Sequence, residues 1–206
     1  LDGLVGWWKF DETNGTIAYD FSGNGNDGNL TNGPTWTSGK IGGALSFDGV
    51  DDYVDLEIGT TLNTKSLISV SLWIKPTEYK NAVLISHQKA NGGWAFKWRV
   101  SSQKLYFKIY GESESNSAVL QYTQNPQLNV WSHLIATIGL NTHKIYLNSS
   151  ISRAINNTIS FESPLANVRV GSVSDSEFFN GLIDDVRIYD RALSSVEVQA
   201  LYNLGQ

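Results

Sequence analysis

The 206-residue chain contains no cysteine and no methionine, and only four prolines and three histidines. Without cysteine, the protein cannot form a disulfide framework, a zinc–thiolate site or a cysteine nucleophile. The three histidines are too scattered along the sequence to predict a zinc or non-haem iron site. No apolar run reaches eighteen residues, and no basic leader segment precedes one. We therefore expect neither membrane insertion nor a signal peptide.

Basic residues are also in the minority, with 15 lysines and arginines against 20 acidic residues, for a net charge of −5. A net acidic chain is not expected to bind nucleic acid, because contacts with phosphates require a basic surface. The charge is unevenly distributed: residues 1–57 carry −8, whereas residues 58–110 carry +7. The acid-rich first third is a candidate cation site, and a solvated acidic surface explains it equally well.

Four N-x-Ser/Thr sequons are present, at Asn14, Asn29, Asn148 and Asn156. Such sequons accept N-linked glycans in cells that carry out this modification, which favours an extracellular or cell-surface location. The lack of any methionine, including an initiator, predicts that residues 1–206 are one domain of a longer protein. Flanking domains of that parent protein would then be among its partners.

Short β-branched or aromatic runs recur along the chain, separated by clusters of Gly, Asn, Asp and Ser. About a dozen such runs need two stacked sheets, so we predict an all-β antiparallel sandwich. Ser194 and Glu197 form a capping-box pattern, which predicts a short C-terminal helix. The predicted strands are residues 4–10, 41–47, 52–56, 67–75, 82–87, 94–100, 104–110, 118–122, 132–139, 143–147, 166–171 and 181–189.

Alternation within these runs predicts which face each side chain occupies. In residues 67–74, one face is predicted to be core, and the other, which carries Ser69 and Ser71, to be mostly exposed. Residues 94–110 are predicted to form a hairpin with one apolar face and one aromatic–basic face.

Four motifs resemble the laminin-G-like jelly-roll domains of the concanavalin A-like lectin and glucanase superfamily. They are GWWKFDE at residues 6–12, DFSGNGNDG at 20–28, GGALSFDGVDDYV at 42–54 and GLIDDVRIYDRAL at 181–193. The resemblance runs from about residue 3 to residue 203. It implies a jelly-roll sandwich whose first and last strands pair. It is less specific for function, because such folds occur in lectins, adhesion modules, enzymes and spacers.

A calcium site is the first candidate. Residues 20–28 provide Asp and Asn oxygens together with three glycines, without the spacing of an EF-hand. The resemblance implies a structural calcium ion near the paired terminal strands, with a ligand at Asp184. The predicted ligands are Asp20, Asn24, Asp48 and Asp184, with Asp11 as a further candidate. The alternative is an Asx-turn loop whose side chains bond their own backbone.

A carbohydrate site is the second candidate, because aromatic rings stack on sugars while amides and charged groups bind the hydroxyls. We expect Trp36 and Trp73 in the core, and a free face on Tyr122 and on aromatic residues of the 94–110 hairpin. Neighbouring Lys97, Arg99 and Lys108 would favour an anionic or heavily hydroxylated glycan. Asn91 and Asp175 are added because they lie in loops that correspond to those where the related pentraxins bind their ligand calcium. The predicted ligand-binding residues are Asn91, Trp94, Trp98, Tyr106, Tyr110 and Asp175.

Catalysis is the third candidate. Asp55 and Glu57 alternate on one strand, as the acids of related glucanases do, but Tyr53 stands where a further acid is needed. No Gly-x-Ser-x-Gly elbow is present. We therefore predict a non-catalytic, lectin-like carbohydrate-binding module with a structural calcium ion. The alternatives are an adhesion or spacer domain, and a glycoside hydrolase or lyase.

Overall fold

The computed structural model describes residues 2–56, 58, 67–89, 92–99, 104–111, 117–156, 167–173 and 176–206. The predicted all-β fold with one short C-terminal helix is confirmed. The elements are β1 (Leu4–Trp8), β2 (Ile17–Ala18), β3 (Gly28–Thr31), β4 (Thr35–Ser38), β5 (Gly43–Asp48), β6 (Tyr53–Leu56), β7 (Ile68–Pro76), β8 (Ala82–Lys89), β9 (Gly92–Arg99), β10 (Lys104–Tyr110), β11 (Ser117–Gln121), β12 (Ser132–Ile138), β13 (Thr142–Leu147), β14 (Ser150–Asn156), β15 (Val168–Val170), β16 (Asn180–Tyr189) and α1 (Ser195–Asn203).

Two eight-stranded antiparallel sheets form the sandwich. The first sheet has the order β14-β13-β12-β7-β16-β5-β4, and β1 also pairs with β16. The second sheet has the order β11-β10-β9-β8-β15-β6-β3-β2. Apolar side chains from both sheets meet between them in one continuous core that includes Val70, Leu72, Phe96 and Phe107.

The first and last strands pair, as the resemblance implied. Leu4 lies opposite Tyr189, and Trp8 lies opposite Val186. The other half of β16 pairs with β5 on the same side, so β1 and β5 lie end to end along it. No edge of β16 is left open along its paired length, which protects an otherwise hydrophobic terminal strand from pairing with other chains.

The outer face of β7 is covered, which corrects the prediction that it is mostly exposed. Ser69 and Ser71 are buried, and so is Trp73, as expected for a core residue. The Ser69 hydroxyl donates to the carbonyl of Arg191 at 2.8 Å, and the ring of Trp73 stacks on Tyr202 of α1 at 5.6 Å. The face therefore forms a second, smaller core beneath the helix.

Helix α1 begins at the predicted capping box. The Ser194 side chain accepts the backbone N–H of Glu197, and the Glu197 side chain accepts the backbone N–H of Ser194. Val198 and Leu201 are the buried residues of the helix, as the apolar spacing predicts. Within the described part of the chain, no helix has the length and apolar character needed to cross a membrane.

Four strands lie in stretches that the sequence pattern predicts as loops: β2, β3, β4 and β14. They are short or polar, and their exposed side chains give little hydrophobic alternation. β4 ends the first sheet, pairing with β5 through Trp36 opposite Leu45. Among the described strands, none pairs with the outer side of β4, which lies beside the chain segment that follows β1.

Candidate functional site

A surface pocket of about 610 Å³ lies beside the edge strand β4. We call it the Trp36 pocket. Its wall combines one indole ring, three hydroxyl side chains, two carboxylates and two glycines. The lining residues are Asp11, Glu12, Thr13, Trp36, Thr37, Ser38, Gly42 and Gly43.

Two glycines allow the walls of the Trp36 pocket to approach each other. The Asp11 carboxylate accepts the backbone N–H of Gly43 at 2.7 Å. A Cβ atom on Gly43 would lie 2.2 Å from the carbonyl oxygen of Phe10, and one on Gly42 would lie 2.2 Å from Asp11 Oδ1. Gly42 also has a φ of +71°, in the left-handed region that favours glycine. Larger residues at either position would therefore push the 10–13 segment away from the turn.

Trp36 is half-buried, which differs from its predicted core position. The inner part of its ring packs against the core, and its Nε1 donates to the carbonyl oxygen of Gly15 at 2.9 Å. The indole is thus fixed in orientation while part of it remains accessible. A fixed, partly exposed indole is suited to stacking on the apolar face of a ligand.

Only one of the two carboxylate oxygens of Glu12 accepts a hydrogen bond from the described residues. Its Oε1 accepts the backbone N–H of Tyr19 at 2.8 Å. Its Oε2 is buried and receives no hydrogen bond from the described residues. A buried acceptor without a partner is unfavourable, so a hydrogen-bond donor brought by a ligand would stabilise this side chain.

The predicted calcium ligands Asp20 and Asn24 lie in one loop. Asp20 accepts the backbone N–H groups of Trp7, Ser22 and Asn26 and the Ser22 hydroxyl, at 2.7–3.0 Å. The Asn24 amide lies 2.9 and 3.0 Å from the carbonyl oxygens of Leu4 and Val5. The loop therefore forms the Asx-type turn that was the alternative to a cation site. If the Asn24 amide were flipped by 180°, its oxygen would lie beside these two carbonyl oxygens. The three oxygens together would form a set of ligands that suits calcium.

Asp184 is held elsewhere. It is fully buried, and its Oδ2 accepts the backbone N–H groups of Lys40 and Ile41 at 2.7 and 2.8 Å. Burial raises the pKa of Asp184 to about 7, because the ionised form loses its hydration.

Asp48 belongs to a third location. Its carboxylate lies within 4.8 Å of those of Asp51 and Asp52, and among the described residues no other group of three acidic or imidazole side chains is so close. The structure thus brings Asp20 and Asn24 together but places Asp48 and Asp184 apart from them. The four residues do not fit one calcium ion in this arrangement.

Trp94 and Trp98 are in the core, which corrects the prediction that either has a free face. They are 0% and 2% exposed. Trp94 stacks on Phe107 at 6.0 Å, and Trp98 on Tyr79 at 4.8 Å. Tyr122 is buried as well. Because the shared face of this hairpin packs against the opposite sheet, none of these rings can stack on a ligand.

The other face of the hairpin carries Tyr106 and Tyr110. Tyr106 is only 8% exposed, and its hydroxyl accepts Nε of Arg99 at 2.9 Å. Lys97 forms a 3.1 Å ion pair with Glu177. Tyr110 is half-buried beneath Lys108, whose Nζ lies 4.3 Å from the ring centroid. The predicted residues Asn91 and Asp175 lie outside the described residues. The described side chains of this aromatic–basic face therefore bond mainly to one another, through a hydrogen bond, an ion pair and a cation–π contact.

The candidate catalytic groups are poorly placed. Asp55 lies 3.8 Å from Arg169 in an ion pair, and Glu57 lies outside the described residues. The Ser71 hydroxyl is 2.9 Å from Nε2 of His133, the spacing of a nucleophile and its base. Both residues are buried beneath α1, however, so a substrate cannot reach the pair.

Comparison with known proteins identifies the family. Residues 48–199 match Laminin_G_3 of the concanavalin A-like lectin/glucanases superfamily. The chain belongs to this family. A curated relative, adhesion G-protein coupled receptor V1 of Danio rerio, is 27% identical over 173 residues. The match covers 78% of this chain but only 3% of the receptor, so the receptor as a whole says little about this domain.

Solved structures of similar fold include several binding domains. Domain 4 of AbnA, an extracellular arabinanase from Geobacillus stearothermophilus solved with arabinotriose, has a TM-score of 0.81 at 22% identity, over 98% of both chains. The binding domain of Botulinum Neurotoxin DC, solved with SialylT, has a TM-score of 0.78 at 17% identity. This chain covers 52% of that toxin domain. At these identities the likeness establishes the jelly-roll fold of this family member.

Proposed function

We propose that this family member is a non-catalytic carbohydrate-binding module of an extracellular or cell-surface protein, and that it binds glycan in the Trp36 pocket. The observation that carries the proposal is the composition of that pocket. A fixed indole stands beside the hydroxyls of Thr13, Thr37 and Ser38 and the carboxylates of Asp11 and Glu12. Sugars present apolar C–H faces and many hydroxyls, so they match a wall of this kind.

The comparisons support this proposal at the level of class. One similar structure was solved with arabinotriose and another with SialylT. An extracellular arabinanase and an adhesion receptor are among the similar proteins, which favours an extracellular or cell-surface setting. The candidate catalytic groups are ion-paired or buried in the described part of the chain, which supports binding without hydrolysis.

The aromatic–basic face of the second sheet is the second candidate site. The observation that favours it is the partial exposure of Tyr110 and Arg99 beside Lys108. An adhesion domain that recognises a protein could use the same face, as the similarity to an adhesion receptor suggests. The two sites lie on different sheets and can be tested separately.

A glycan array tests the proposal, with the parent domain compared with Trp36→Ala. We expect the variant to lose at least tenfold in affinity for every glycan that the parent binds, because stacking on the indole is removed. Tyr79→Ala is the matched control, since Tyr79 is a 44% exposed aromatic residue outside the pocket. Full retention by Trp36→Ala, with loss in a Tyr106→Ala/Tyr110→Ala variant, would assign binding to the second sheet. A parent domain that binds no glycan would support the adhesion or spacer function.

A further inference from the structure

We infer that the Trp36 pocket selects sugars by charge, preferring amine-bearing sugars, accepting neutral ones and rejecting uronic, sulfated and sialylated ones. The inference rests on the proposed function and specifies its ligand class. It reverses the expectation of an anionic glycan, which came from the basic residues of the 94–110 hairpin. Three features of the pocket and its surroundings support it.

The first feature is the charge of the wall. Asp11 and Glu12 are both among the lining residues, and none of the described lining residues is a lysine, arginine or histidine. The Asp11 carboxylate is exposed and is positioned by the Gly43 amide. A sugar carboxylate or sulfate placed in the pocket would therefore meet like charges with no cation to balance them.

The second feature is the incomplete hydrogen bonding of Glu12. Only Oε1 has a partner among the described residues, the Tyr19 amide, while Oε2 is buried without one. Because Glu12 is also one of the residues that line the pocket, Oε2 is a candidate acceptor for a donor on a bound sugar. Hydroxyl and ammonium groups donate such bonds, and an ammonium group forms the stronger, charge-assisted bond. An ionised carboxylate cannot donate at all.

The third feature is the absence of compensating charge nearby in sequence. Residues 1–57 carry a net charge of −8, and their two basic residues are Lys9 and Lys40. Lys9 lies 4.6 Å from the ring centroid of Trp7, and Lys40 lies 5.3 Å from that of Trp73. Both cations thus contact indoles outside the Trp36 pocket. The part of the chain that contributes the pocket is therefore acidic on balance, which disfavours the approach of anionic glycans at low salt.

Binding of matched oligosaccharides tests this selectivity at pH 6 and low ionic strength. The probes are trimers of glucosamine and of N-acetylglucosamine, which differ in positive charge, and trimers of galactose and of galacturonate, which differ in negative charge. We expect the glucosamine trimer to bind about fivefold more tightly than its acetylated form, and the galacturonate trimer about tenfold more weakly than the galactose trimer. Both ratios should approach one at 0.5 M salt, as a rough threshold for strong screening.

Two double variants of equal net charge identify the carboxylates that are responsible for the charge selection. Asp11→Asn/Glu12→Gln should bring both affinity ratios close to one, because it removes the negative charge of the pocket while keeping the shape of the side chains. Asp48→Asn/Asp51→Asn is the matched control: it removes two exposed carboxylates outside the pocket, changes net charge equally and should leave both ratios intact. Ratios unchanged in the first variant, or equally reduced in both, would overturn the inference.

The same measurements separate this inference from the proposed function. Binding that depends on Trp36 but ignores ligand charge would contradict charge selection alone. Tighter binding of galacturonate than of galactose would contradict it as well. Absence of binding to any glycan, or binding that survives in Trp36→Ala, would contradict the proposed function and with it the basis for charge selection.

Discussion

The imidazole of His133 lies against the indole of Trp73, with ring centroids 4.7 Å apart and ring planes 18° from parallel. Tyr202 of α1 stacks on the same pair, and the Ser71 hydroxyl lies 2.9 Å from Nε2 of His133. The histidine is thus enclosed between the first sheet and the helix. Burial, assisted by the nearby Arg187 cation, lowers the pKa of His133 to about 3.

This histidine should make the protein less stable in acid. In the unfolded chain the pKa of a histidine is near 6.5, so the unfolded state takes up a proton that the folded state refuses until about pH 3. The contribution of His133 is complete above pH 6.5 and is lost as the pH falls toward 3, by up to about 1.4 kcal/mol per pH unit. Urea unfolding at pH 7, 6 and 5 measures this slope.

The control for this slope is His133→Gln, which can still bond to Ser71 but does not titrate. We expect its free energy of unfolding to fall less steeply between pH 6.5 and 5 than that of the parent, whatever its value at pH 7. Burial also lowers the pKa of His143, which remains in the variant and leaves a part of the slope. Identical slopes in the two proteins would show that His133 is accessible to protons.

Replacing Asp185 should destabilise the fold strongly. Its Oδ1 accepts Nε1 of Trp7 at 2.7 Å and two guanidinium nitrogens of Arg187 at 3.0 and 3.2 Å, and both charged residues are buried. Asp185→Asn leaves the Arg187 cation without its partner and should cost about 3–5 kcal/mol. Asparagine tolerates the positive φ of 47° at this position, so backbone strain does not confound the result.

Trp7→Phe is the comparison for this ion pair. It removes the indole hydrogen bond to Asp185 while leaving the ion pair intact, and it should cost about 1–2 kcal/mol in the same urea measurement. Phenylalanine also keeps an aromatic face for Arg187, which lies 4.4 Å from the Trp7 ring centroid. If Asp185→Asn costs no more than Trp7→Phe, water reaches the Arg187 guanidinium in solution.

Calcium should raise the melting temperature through the loop that contains Asp20 and Asn24. At a hundredfold excess over its dissociation constant, a bound ion stabilises the folded state by about 2.7 kcal/mol. EDTA should therefore lower the melting temperature, and calcium should restore it. Asp20→Asn should abolish this response, whereas Asp48→Asn should keep it, because the Asp48 cluster is separate. A melting temperature unaffected by EDTA, with no metal released by mild acid, would identify the loop as a metal-free Asx turn.

The domain should not hydrolyse polysaccharides. Asp55 is paired with Arg169, and the Ser71–His133 pair is buried beneath α1. Reducing-sugar release from β-glucan, xylan and arabinan, and product release from alginate and sialosides, should stay at the level of the buffer. Turnover that disappears in Asp55→Asn or Glu57→Gln would instead reveal a catalytic carboxylate on or beside β6.

Strand positions could be predicted from the sequence because alternation and turn residues are local properties. The β12 strand, for example, is predicted at 132–139 and observed at 132–138. The strand β4 could not be found in this way, because its sequence TWTS has one apolar residue. It forms because β5 offers a backbone partner, with Trp36 opposite Leu45. The pairing of two strands does not show in the hydrophobic pattern of β4 itself.

Burial was harder to predict, because alternation shows which residues share a face but not what covers that face. Lys97 is 5% exposed because Glu177 lies over it. Trp36 remains accessible because β4 is the last strand of its sheet. An isolated tryptophan among threonines and serines, between Pro34 and Gly39, is the one local signal of such a site.

The pairing of β1 with β16 also determines how the protein responds to a pulling force. Leu4 lies beside Tyr189, and the amide of Asp190 donates to the carbonyl of Gly3 at 2.9 Å. Tension applied at the two chain ends therefore enters this pair from one end, once α1 has been pulled away from Trp73. The force then acts on one residue pair at a time, and only the hydrogen bonds of that pair oppose it. In strands that are pulled from opposite ends, all the hydrogen bonds of the pair oppose the force together. We therefore expect the sandwich to open at low force, one residue pair at a time from Leu4 toward Trp8.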